Sequence, residues 1–222
     1  ACGTSVLEHL VAWRNALELG TDPGLSFRLG RGLHLPDHGT WGLMLLSCES
    51  VGEYFRLAQA YQGLVASAVT LEARIEGEDA IWVLTNGAGR DLPDTLHMFL
   101  IEQQVGQLVT QMQDLLGPEV RPTLARFAFP PPPHRSIYAE QLPCPCVLGW
   151  HRNELRFDGE VLSRRPRLAN SFTTTALQTA CEGLLAEIED SLGFAGKVYQ
   201  ALRQLPDPGA CMKTVGSNLK MT

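Results

Sequence analysis

Cys144 and Cys146, in the stretch CPC, are the residues of this chain whose type and spacing first invite chemistry. Two thiolates that close could help hold a metal, but a structural zinc site wants four ligands, with the cysteines of a pair at C-x₂₋₄-C spacing. No second cysteine or histidine pair at ligand spacing follows, so packing at the entry to a strand is the expected role. His34 and His38 stand four apart, the spacing that puts two imidazoles on one helix face. Pro36 between them breaks such a helix, and no Glu follows His34 as the metalloprotease pattern requires. NGAGR, residues 86 to 90, follows a strand pattern but lacks both phosphate-loop glycine signatures. No G-x-S-x-G elbow occurs. Nothing assembles a nucleophile, a base and an oxyanion donor. We therefore expect no catalytic residue, no metal ligand and no cofactor, and a protein that is not an enzyme.

Other stretches favour binding over catalysis. HRSIY, HRNELR and SRRPR concentrate positive charge between His134 and Arg167. Such charge serves either an anionic partner or a solvated face that balances nearby acids, and the second is the commoner use. The four prolines at 130 to 133 read as a rigid loop before Tyr138 rather than as a polyproline ligand. Trp41, Met44, Tyr61 and Trp82 are core-forming types that also suit an apolar ligand cavity. They are the candidate ligand-binding residues, for an apolar or amphipathic effector.

The elements that must position these residues follow from periodicity. Ser5 and Glu8 have capping-box spacing and start a helix that Gly20 ends. A short helix restarts at Pro23, a connector follows, and WGLMLLS reads as a buried helix. Ser50 and Glu53 repeat the capping box for a helix running to about Leu64. In VTLEARIE, Val69, Leu71, Ala73 and Ile75 alternate with polar residues, which marks a half-buried strand; AIWVLT returns beyond Gly77. A helix capped by Asp94 runs to Gly117-Pro118. RPTLARFAF is a third strand, and CPCVLGW with ELRFD should form a hairpin about His151, Arg152 and Asn153. A long helix at about 173 to 192 carries Leu177, Cys181, Leu184 and Ile188 on one stripe. This grouping predicts an α+β fold, with an antiparallel sheet of four to five strands flanked by helices.

The bulk numbers agree with a soluble globular chain: 222 residues, 45% hydrophobic and 19% charged. A net charge of -6 makes nucleic-acid contact by these residues unfavourable, because phosphate binding needs a concentrated positive surface. No apolar run approaches the ~20 residues of a membrane span. The six cysteines sit largely in apolar or helical stretches of a chain too long for a small stapled fold, so reduced thiols and a cytoplasmic protein are expected.

The order of segments resembles the N-terminal, arabinose-binding-type half of the AraC/XylS-type transcription regulators. Its first carrier is HGTWGLMLLSCESVGEYFRLAQAYQGLV, with Gly39, Gly42, Ser47-Cys48, Gly52-Glu53 and Tyr61. The second is the run from ARFAFPPPP to RPRLAN, with Phe127, Pro131, Tyr138, Pro145, Asn153, Leu155, Phe157, Pro166 and Asn170. Leu142 stands where the family often has an aromatic, and Cys48 where it has a second Ser. The resemblance implies a regulatory domain at 1–192, an inter-domain linker helix at 193–209, and the start of a helix-turn-helix domain at 210–222. It also implies a homodimer, for which the 177/181/184/188 stripe is the candidate interface unless that stripe packs on the sheet instead, and promoter contact through recognition helices beyond Thr222. The alternative is a stand-alone ligand- or protein-binding module without DNA-binding activity.

Overall fold

The computed structural model describes residues 6–20, 22–65, 67–87 and 92–191. Two compact units divide the chain, Ala1–Gln178 and Thr179–Thr222. The expected linker helix at 193–209 and helix-turn-helix start at 210–222 lie outside the described residues, as does the Ser5–Glu8 cap.

The first unit opens with helices α1 (Val6–Leu19), α2 (Leu25–Arg31), α3 (Gly39–Leu46) and α4 (Val51–Ala60). Strands β1 (Val69–Glu76) and β2 (Asp79–Asn86) follow, then the long α5 (Asp94–Leu116). The chain continues through β3 (Leu124–Phe127), α6 (Tyr138–Gln141), β4 (Cys146–Leu148) and β5 (Asn153–Asp158). Helix α7 (Ser171–Ser191) completes the described chain. The five strands lie in the order β1-β2-β5-β3-β4, so the α+β expectation holds.

Local signals place most of these elements. Ser50 Oγ accepts the Glu53 N–H at 3.1 Å, while the Glu53 carboxylate reaches back to the Glu49 N–H at 2.8 Å. Helix α4 stops at Ala60, short of the expected Leu64, and a single 3₁₀ turn covers Gln62–Leu64. Asp94 is not the cap of α5 but its first residue, after Pro93, where its charge still suits the helix N-terminus.

One pairing differs from the sequence reading. β4 and β5 do not form a hairpin: β5 runs antiparallel to both β2 and β3, and β4 pairs with β3 in parallel. With both edges of β5 occupied, the free edge of β3 is what remains for β4. The turn after β4 is held to that edge, with the Trp150 N–H on Phe127 O at 2.8 Å.

The two sheet faces differ in chemistry. On one, Trp82 stacks on Phe55 of α4 at 4.3 Å between ring centroids and meets Tyr54 edge-on at 5.9 Å. Tyr54 donates its hydroxyl to Gln111 Oε1 of α5 at 2.8 Å, tying the two helices. On the other face, buried Glu154 accepts from Arg126 at 2.8 Å, from Arg156 at 2.7 Å, and from Arg152. Arg152 and Arg156 also meet Glu76, and Arg156 meets Asp79. The basic stretch at 151 to 156 is thus balanced internally by acids.

Helix α2 crosses α5 at backbone contact. A Cβ on Gly30 would lie 1.9 Å from Gln103 O, and one on Gly106 would lie 2.8 Å from Phe27 O. Only glycine at the crossing allows that approach. The first turn of α7 is fixed as well: Asn170 Oδ1 caps the Thr173 N–H at 3.0 Å. Thr174 Oγ1 donates to Ser47 O at 2.6 Å, at the end of α3. Among the described residues no helix is long and apolar enough to cross a membrane.

Candidate effector site

The α2–α5 crossing sets Ser26 over Glu102, and the result is a buried acid with three donors. Glu102 is 2% exposed. Ser26 Oγ donates to its Oε2 at 2.5 Å, His134 Nε2 lies 2.9 Å from Oε1, and the Tyr138 hydroxyl donates to Oε1. Tyr138 is oriented by rings on both sides, Phe27 of α2 and Phe127 of β3, each edge-on at 5.2 Å. His134, in the loop that the prolines stiffen, lies parallel to it at 6.1 Å. Burial first, and then the adjacent Glu102 carboxylate, push the Tyr138 phenol far above its usual range, so the hydroxyl stays a donor.

This cluster forms part of the wall of a cavity of about 330 Å³. Leu17 of α1, Leu25 of α2, and Met98 and Phe99 of α5 give it apolar surface, while Ser26, Glu102 and His134 supply polar atoms. Small-molecule sites have this composition: mostly apolar walls with a few fixed polar groups. Asp22 lines it too, but its carboxylate is paired with Arg28.

A second concavity, of about 440 Å³, is lined by Arg135, Tyr138, Cys144 and Cys146 among others. Arg135, Ser136, Ala139 and Pro145 on its rim are exposed, as Gly20, Pro23, Thr95 and Pro133 are around the first, so both open to the surface, and what sets the first apart is the buried Glu102 on its wall. The mutual hydrogen bond of its thiols raises Cys144 and lowers Cys146. Among the described residues no group of three potential ligands is placed to hold a metal ion.

The residues singled out from the sequence fall elsewhere. Trp41, Met44, Tyr61 and Trp82 are all buried, and none of them lines either cavity. Trp41 meets the His38 ring edge-on at 5.4 Å, whereas Trp82 belongs to the Phe55–Tyr54 stack, so the two tryptophans sit in different ring contacts. His34 bonds Asp114 and His38 bonds Gln107, each serving a different turn of α5. Along α7, Leu177 is half-buried and Cys181 buried, while Leu184 and Ile188 are 41% and 38% exposed. Glu102 and Ser26 were not among the sequence candidates, although Tyr138 and His134 had been noted in other roles.

Comparison with known proteins supplies the family. The family model described as the arabinose-binding domain of AraC transcription regulators, N-terminal, matches residues 2–166. The ornithine utilization regulator of Pseudomonas aeruginosa is 27% identical over 193 residues, which is 86% of this chain and 56% of that protein. The chain therefore spans little more than half the length of that relative. The crystal structure of the transcriptional regulator CdpR from Pseudomonas aeruginosa superposes with a TM-score of 0.66 at 19% identity. That match covers 95% of this chain and 68% of the other, and it shows a shared fold. With the matched model spanning most of its length, the chain belongs to the family of N-terminal, arabinose-binding-type regulatory domains of AraC transcription regulators.

Proposed function

We propose that this domain senses a small molecule in the Glu102 cavity and, as a homodimer in the cytoplasm, controls how a joined DNA-binding domain engages promoters. The observation that carries this reading is the placement of a buried, hydrogen-bonded acid on a mostly apolar cavity where α1, α2, α5 and the proline loop converge. A ligand there touches four separate segments at once. By linkage, it alters promoter affinity only to the extent that it favours one arrangement of those segments over another. The relative named for ornithine utilization supports control by a small metabolite.

DNA contact, in this reading, belongs to a helix-turn-helix domain that starts near residue 210. Dimer contact belongs to the distal half of α7, where Leu184 and Ile188 are exposed on the helical stripe. The effector site is assigned to the Glu102 cavity in preference to Trp41, Met44, Tyr61 and Trp82, which have no lining role in it.

Chromatin immunoprecipitation of the intact regulator in its native host tests the reading. Enrichment at discrete promoters is expected, with occupancy altered by Leu17→Trp, which fills the cavity. Absence of promoter enrichment, or enrichment indifferent to the filled cavity, contradicts it.

A further inference from the structure

We propose that the effector carries a protonated amine on a short apolar body, and that Glu102 is the counter-charge that selects it. This rests on the reading of the cavity as the effector site. The argument begins with charge. Among the described residues no Lys or Arg side chain pairs with Glu102; its partners are two hydroxyls and one imidazole. The lysines of the chain are Lys197, Lys213 and Lys220, all outside the described residues. Of the nearby arginines, Arg28 is committed to Asp22. A carboxylate removed from water is costly unless it is paired with a cation, and of its three partners only the His134 imidazole is able to carry positive charge. A ligand cation supplies a permanent counter-charge that no described Lys or Arg gives Glu102.

Acceptor geometry agrees. A carboxylate has about four lone-pair positions. Oε1 serves Tyr138 and His134, while Oε2 serves Ser26 alone, so Oε2 keeps capacity for a ligand N–H. The remaining wall sets the body of the ligand: Leu17, Leu25, Met98 and Phe99 offer apolar contact and no further fixed charge. An anionic ligand would meet Glu102 with like charge in a desolvated site, and a neutral one would leave that charge uncompensated.

Because such a ligand binds the folded chain and not the unfolded one, binding raises the melting temperature. Three probes of equal length separate the possibilities: hexylamine, hexanol and hexanoate, each titrated against the 222-residue chain, its Glu102→Gln variant and its Leu17→Trp variant. Hexylamine should stabilise the parent chain saturably and most strongly, with affinity roughly tenfold or more weaker in Glu102→Gln, as expected for loss of a charge-assisted contact. Should Glu102→Gln fail to fold, the ranking of the three probes on the parent chain decides by itself. If hexanol or hexanoate binds as tightly as hexylamine and Leu17→Trp abolishes that binding, the amine class is wrong while the cavity remains the effector site. Hexylamine binding that survives both substitutions overturns the amine class and the cavity assignment together. No stabilisation by hexylamine overturns the amine proposal.

Discussion

Tyr138 and Glu102, thirty-six residues apart, are joined by a hydrogen bond inside the core, with the tyrosine hydroxyl as donor. Through Tyr138 the acid of α5 is linked to Phe127 on the sheet and to Phe27 on α2. Removing the hydroxyl leaves the ring packing but takes one of three donors from a buried carboxylate. Tyr138→Phe should therefore destabilise the fold by about 1–3 kcal/mol, with little change in secondary structure. Chemical denaturation monitored by circular dichroism measures it; a loss below about 0.5 kcal/mol would mean the hydroxyl is dispensable to Glu102.

Glu154 gives a pH signature. Burial alone would raise its carboxyl, but hydrogen bonds from Arg156, Arg152 and Arg126 override burial and hold it at about 2, below its ordinary 4.5. A depressed folded-state value means the stabilisation is fully present above the ordinary value and is lost as pH falls toward the folded one. Glu154→Gln should thus be less stable than the parent at pH 7 by roughly 3 kcal/mol, since three arginines lose their common acceptor. The gap should close between pH 4.5 and about 2. A gap constant across that window would show that the arginines do not hold the charge.

The α2–α5 crossing is sterically committed. Gly30→Ala drives a methyl into the Gln103 carbonyl, a backbone atom that cannot swing aside, and should cost at least about 3 kcal/mol. At Gly183, on the exposed side of α7, no described atom lies within 4 Å of an added Cβ. Ala there should be neutral or stabilise by roughly 0.5–1 kcal/mol through helix propensity. Thermal unfolding of the two variants side by side checks the contrast. Since Ser26 sits one turn before Gly30, Gly30→Ala should also weaken ligand binding in the cavity.

How much of this was legible in the sequence depends on the range of the signal. Helix and strand periods are local, so α1 to α5, β1 and β2 were readable, as was the cap at Ser50. The pairing of β4 was not, because it depends on β5 having already taken both β2 and β3, a relation spread over 80 residues of chain. The aromatic residues chosen for a ligand cavity are types that also fill cores, and composition does not separate those uses. Glu102 did leave a trace. Its neighbours at three and four positions, Met98, Phe99, Val105 and Gly106, are all apolar, and α5 contains no Lys or Arg. An acid on an apolar stripe without a basic residue in reach is the signal that points to this site.

Dimerisation through α7 is open to a direct check. Leu184 and Ile188 keep 41% and 38% of their surfaces exposed, so charging them does not require opening a core. The Leu184→Glu, Ile188→Glu double variant should remain folded and sediment as a monomer. A folded double variant that sediments as the same dimer as the parent places the interface elsewhere.

The central claim, that this regulatory domain reads its effector at the Glu102 cavity, is tested most directly by methyl NMR on the chain labelled at methionine. Met98 lines the cavity, whereas Met44 is fully buried and lines neither cavity. Titration with hexylamine, hexanol and hexanoate in turn should include at least one probe that moves the Met98 methyl resonance saturably and leaves that of Met44 in place. Movement of Met44 without Met98, or of neither with all three probes, contradicts the account.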